Sequence, residues 1–61
     1  MTPHRWLLKA RVDASMKLLA RGELPIAEIA IACGFADQSH FTRVFARITG
    51  VTPKVWQERF R

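Results

Sequence analysis

Residues 25–50 read PIAEIAIACGFADQSHFTRVFARITG, two short helices with a tight connection between them. Pro25 opens the first helix, Pro25 to Cys33, and Gly34 ends it in the left-handed conformation that glycine tolerates. Asp37 is placed to cap the second helix, Gln38 to Thr49, with Gly50 just past its end. Along that second helix Phe41, Val44, Phe45 and Ile48 recur at i, i+3, i+4 and i+7, which makes one apolar stripe. At about 100° per residue, Ser39, Arg43 and Ala46 fall on the opposite side, flanked by His40, Thr42 and Arg47. That outer face is small, polar and positive, with no acid after Asp37 at the cap.

Such a pair is a helix-turn-helix, the second helix protruding so that its outer face can enter a major groove about 12 Å wide. Small residues near its start let the backbone approach, and flanking arginines suit phosphates. In the first helix Ile26, Ile29, Ala30 and Cys33 supply an inner face, and Ala30 is small enough for a close crossing. Phe35 reads as a core plug that sets the angle between the helices. Counted from Ala30 and Gly34, the buried positions of the second helix fall one residue late, which predicts a turn longer by one. The competing reading is an ordinary helical hairpin whose polar face is merely wet.

Upstream, Thr2-Pro3 is a helix-opening pair, and no Gly or Pro then interrupts the chain until Gly22, so a helix is expected over His4 to Ala20. Downstream, Thr52-Pro53 repeats the opening signal for a short helix to about Phe60. No segment alternates with period two. The expected class is all-α, a homeodomain-like bundle of about four helices.

The upstream helix carries two apolar stripes. Trp6, Leu7, Ala10, Ala14 and Leu18 form one; Leu8, Val12, Met16 and Leu19 form the other. Lys9, Asp13 and Lys17 fill the gap on one side, and Arg11 with Ser15 the other. A helix apolar on two sides asks to be covered on two sides, and the remaining helices can cover one. The stripe Leu8, Val12, Met16 and Leu19 is therefore expected to meet a homodimer partner or a missing neighbouring lobe. A short repeat favours the lobe: residues 1–6, MTPHRW, and residues 51–56, VTPKVW, share an apolar-Thr-Pro-x-x-Trp pattern. The second copy directly follows a helix-turn-helix; the first would follow one preceding residue 1.

The composition bounds the rest. Sixty-one residues allow one small domain, burying only about 60% of the surface its unfolded chain exposes. Cys33 is the single cysteine, so no internal disulfide can form; it reads as a small core residue, a reactive thiol being the alternative. The usage fits a reducing cytoplasm. No apolar run nears the roughly 20 residues of a membrane span. Ten Lys and Arg against five acids give a net charge of +5 and a pI near 10.8, a field that favours polyanions. An enzyme is not expected: no nucleophile has a plausible base, no glycine-rich phosphate loop occurs, and no metal-ligand or cofactor-binding cluster is visible. His4 reads as surface, and Glu28 in the first turn of its helix suits the helix dipole.

The stretch Leu24 to Trp56, with I-A-x-I-A, then C-G-F, then S-H-F-x-R-x-F, then G-x-T-P, closely resembles the AraC/XylS family of bacterial transcription regulators. Thr2 to Leu19 is similar to that family's linking helix, including its TPHRW-type opening. The family carries two helix-turn-helix units joined by this helix. The resemblance implies that residues 1–61 are a single partial DNA-binding domain: linking helix 4–20, second helix-turn-helix 25–49 and carboxy-terminal helix 53–60. It implies sequence-specific binding to promoter or operator duplex DNA, in the bacterial cytoplasm and on the nucleoid when bound. Gln38, Ser39, His40 and Arg43 would then face the bases, Arg43 towards guanine O6 and N7 and Gln38 towards adenine. Thr42 and Arg47 would meet phosphates, helped by backbone N–H groups at the start of the preceding helix. His40 has a second reading, as a histidine that stabilises the first turn. The other function to weigh is a truncated remnant or interaction module that dimerises, or pairs with an intact homologue, and binds DNA weakly.

Overall fold

The structure, a computed structural model, describes residues 3–60. It contains four helices: α1 (Pro3–Arg21), α2 (Ile26–Ala32), α3 (Gln38–Thr49) and α4 (Pro53–Phe60). Among the described residues no strand occurs. Thr2, half of the expected opening pair, and the first two residues of the repeat lie outside them. At about 1.5 Å per residue α1 is about 28 Å long, which accounts for most of the 31 Å long axis of the molecule. The other three helices pack against it.

α3 runs over the residues its signals predict. The Asp37 carboxylate accepts the His40 N–H at 2.7 Å, satisfying one of the donors a helix start leaves open. At the other end Gly50 is left-handed (φ 87°) and donates to the Ala46 carbonyl at 2.8 Å. α2 is shorter than the sequence suggests. Pro25 is extended (φ −60°, ψ 151°) and stands before the first helical residue, while Cys33 stands after the last.

The connection between α2 and α3 is residues 33–37, five residues, one more than the three or four usual in such a turn. It begins as a Schellman motif. The Phe35 N–H reaches the Ala30 carbonyl at 3.0 Å, and the Gly34 N–H reaches that of Ile31 at 3.1 Å. Gly34 takes φ +89°, and a Cβ there would also stand 3.0 Å from Nε of Arg11, whose side chain lies against the turn. Glycine is required here by conformation, and the space is tight as well, since a Cβ would make the Arg11 side chain give way.

The core is Val12, Leu19, Ile29, Ala30, Phe35, Phe41 and Phe45. Rings form a continuous run through it: Phe35 to Phe41 (5.0 Å), Phe41 to Phe45 (5.6 Å), and Phe45 to Trp56 of α4 (6.2 Å). α4 opens as predicted, with the Val55 N–H donating to the Thr52 hydroxyl and Pro53 buried. It is tied back to α1 when the Gln57 side-chain amide donates to the Leu19 carbonyl at 2.9 Å. The same carbonyl also accepts the Gly22 N–H at 3.2 Å, so the amide takes up its second lone pair at the end of α1.

α1 corrects two expectations. The stripe Leu8, Val12, Met16 and Leu19 turns towards the chain's own core: Val12 and Leu19 are fully buried in it, and Leu8 and Met16 are half-buried against it. The side left open is most of the other one, with Trp6 64% and Leu7 39% exposed and Ala10 and Ala14 in solvent, while its last member, Leu18, packs against the core. Ser15 belongs inside as well. Val12, Ser15 and Leu19 stand at i, i+3 and i+7, and Ser15 is fully buried, its hydroxyl donating to the Val12 carbonyl at 2.6 Å. A small residue on the buried face lets a neighbouring helix approach, and the local bond removes the cost of burying the hydroxyl. Polarity alone had placed Ser15 with Arg11 on the wet side.

Candidate nucleic-acid interface

α3 is held on its inner side by Phe41 and Phe45, so its opposite side is obliged to face solvent. Gln38, Ser39 and Arg43 are exposed there and Thr42 is half-buried. These four line one shallow open surface, the first turn and a half of α3. Its carboxylate neighbour, Asp37, is occupied by the helix backbone. The surface therefore offers an amide, two hydroxyls and a guanidinium, a set able to donate and accept along base edges.

His40 stands apart from them. Its ring meets Phe35 edge-on at 5.5 Å, and its Nδ1 accepts the Ala36 N–H at 3.4 Å. With the Asp37 bond to its own N–H, His40 closes the turn from both directions, which is the turn-stabilising geometry. Arg47 is exposed one turn beyond Arg43, on the flank of α3 that carries His40.

On that flank lies a feature for which the sequence gives no sign. His40, Arg43 and Arg47 of α3 share an open groove with His4 and Arg5 from the start of α1. The TPHRW opening that contains His4 does not point to α3, and its nearness to α3 is a product of packing. Elsewhere, burial pushes the Cys33 thiol above its ordinary pKa, which keeps it protonated and poorly nucleophilic. Among the described residues no group of three or more His, Cys, Asp or Glu could hold a metal ion. None of the described helices is long and apolar enough to cross a membrane.

A short, tightly turned helix pair presenting a basic, polar second helix defines a helix-turn-helix domain, and residues 1–59 match the family described by that name, Helix-turn-helix domain. The chain is 43% identical over 60 residues to the HTH-type transcriptional activator RhaR of Cronobacter sakazakii, covering 98% of this chain and 21% of that protein. It is 37% identical over 57 residues to the probable transcriptional regulator LumQ of Photobacterium leiognathi (93% and 23%). It is 39% identical over 61 residues to RhaR of an Enterobacter species (100% and 22%). The chain belongs to the AraC-type family of DNA-binding helix-turn-helix transcription regulators. It spans about a fifth of the length of these relatives. No solved structure matches it.

Proposed function

We propose that this chain binds duplex DNA sequence-specifically by seating α3 in the major groove, as part of bacterial transcription regulation. The observation that carries the reading is the placement of Gln38, Ser39, Thr42 and Arg43 on one exposed, carboxylate-free surface of a helix whose other side is locked into the core. Arg43, at the centre of the outer face, pairs with guanine O6 and N7; Gln38 reads adenine and Ser39 accepts either partner. Thr42 and Arg47 hold phosphates and set register. His40 stands at the margin of this surface, reaching the DNA only with what its turn role leaves available.

The test is selection of the folded chain against a random duplex pool at physiological salt. A short enriched motif is expected, and Arg43→Ala should cost about 1–3 kcal/mol of binding and relax preference at one position. Enrichment that Arg43→Ala leaves intact would remove α3 as the reading element.

A second reading draws on the repeat. Trp56 packs edge-on against Phe45 of the helix-turn-helix that precedes it, while Trp6, at the same place in its copy, is 64% exposed. The partner that fits is another helix-turn-helix lobe, in this chain's own protein or in a homologue, offering Trp6 what Phe45 offers Trp56. A lone module buries only about 600–1,000 Å² on DNA, so binding by residues 1–61 alone would be weak. The same selection separates the two readings: folded chain with no enriched motif favours the requirement for a second lobe.

A further inference from the structure

We infer that Arg11 of α1 is a positioning residue for base reading: its guanidinium, laid against Gly34, steadies the turn that aims α3 at the major groove. The inference rests on the DNA-binding reading above. Arg11 is half-buried, and a Cβ on Gly34 would stand 3.0 Å from its Nε and 3.2 Å from its Cζ. Charge is one reason for a guanidinium there. α2 has no basic residue in its last turn, and the carbonyl end of a helix, partly negative, is stabilised by a cation. Arg11 supplies that cation from the neighbouring helix. No acid draws it away: no hydrogen bond or ion pair joins Arg11 to another described residue, and Asp13, the acid of α1, is paired with Lys9 at 3.8 Å.

Conformation is the other reason. Gly34 takes φ +89° and has no Cβ, so no side chain of its own resists rotation. After the two Schellman bonds, the rest of the turn is held by Phe35 in the core and by the long 3.4 Å bond from the Ala36 N–H to His40. The flat guanidinium fills the space beside Gly34 and limits its swing as a side chain would. Gln38, the first of the base-facing residues, follows directly at the end of this turn, so a small rotation at Gly34 displaces the whole reading surface. Hydrogen bonds to base edges weaken steeply away from their best geometry, whereas attraction to phosphates tolerates displacement. Loosening this contact therefore lowers discrimination between sequences and leaves attachment to DNA in place.

Fluorescence anisotropy of Arg11→Met on the selected duplex and on a scrambled one tests this, methionine keeping an unbranched stem without the guanidinium. The ratio of the two affinities should fall about fivefold or more, the lower end of what one bidentate base contact supplies. Affinity for the scrambled duplex and its salt dependence should stay as in wild type. Amide hydrogen exchange, read by NMR, should speed up at the Gly34 and Phe35 N–H groups relative to those of Phe41 and Phe45. Should circular dichroism find Arg11→Met unfolded, Arg11→Gln carries the same readouts. An unchanged ratio in a folded variant overturns the positioning role and leaves reading by α3 standing, even where the thermal midpoint drops. Equal losses on both duplexes, with a salt slope lower by about 0.9, overturn it as well by making Arg11 a phosphate contact. A lower ratio without faster exchange at Gly34 and Phe35 overturns the route through the turn. A folded wild type that yields no selected duplex overturns reading by α3 and the positioning role together.

Discussion

In α3 the two sides part cleanly: Phe41 and Phe45 are fully buried, while Gln38, Ser39 and Arg43 stand in solvent. α1 is built otherwise. Val12, Ser15 and Leu19 are fully buried on one side, yet Trp6, Leu7, Ala10 and Ala14 on the other remain in contact with water. The difference separates two kinds of exposed surface. The open side of α3 is polar and positive, costs nothing to hydrate, and suits a ligand that brings its own charge and hydrogen-bonding edges. The open side of α1 is apolar, and hydrating it forfeits about 25 cal/mol for each Å² that a neighbour could cover. One surface is chemically ready as it stands; the other is a packing face.

The largest effect expected within this contrast is on the inner side of α3. Phe41→Ala should cost about 3–5 kcal/mol, against a total stability of roughly 3–9 kcal/mol for a chain of this size. Urea denaturation followed by circular dichroism should find its midpoint sharply lowered. A Phe41→Ala chain of near wild-type stability would mean that the aromatic run is not the core.

The sharper test sets the two sides of α1 against each other. Leu19→Ala should cost about 2–5 kcal/mol, whereas Leu7→Ala should stay within about 0.5 kcal/mol of wild type. Equal losses at both positions would break the distinction between a filled and an open side.

A smaller effect is expected where α1 meets the turn that orients α3. Gly34→Ala forces a Cβ into a left-handed backbone and against Arg11, and should cost about 1–2 kcal/mol. A thermal midpoint equal to that of wild type would show that turn and arginine relax freely.

α3 was legible because each of its signals is local. Asp37, the spacing of Phe41, Val44, Phe45 and Ile48, and Gly50 act within one helix and its caps, so they mean the same thing whatever surrounds them. Gly34 was legible for a similar reason, as a left-handed helix end is built from residues within one turn of it. Ser15 was misplaced because a buried hydroxyl satisfied by its own helix looks, in sequence, like any other polar residue. His4 read only as surface, and Arg5 carried no role, because their meeting with Arg43 and Arg47 joins helices far apart along the chain.

By itself, then, the sequence determined that this protein is all-α, that a turn lengthened by one residue precedes a helix with one polar, basic side, and which residues that side displays. It also determined that α1 has more apolar surface than one neighbour can cover. Only the tertiary structure decided which stripe of α1 the core takes, and that the start of α1 lines a groove with α3. The physical reason is that periodicity measures angles around a single axis. Which angle is buried depends on where the other helices cross that axis, and here the crossing of α2, α3 and α4 covers Val12, Ser15 and Leu19 and leaves Trp6 in water.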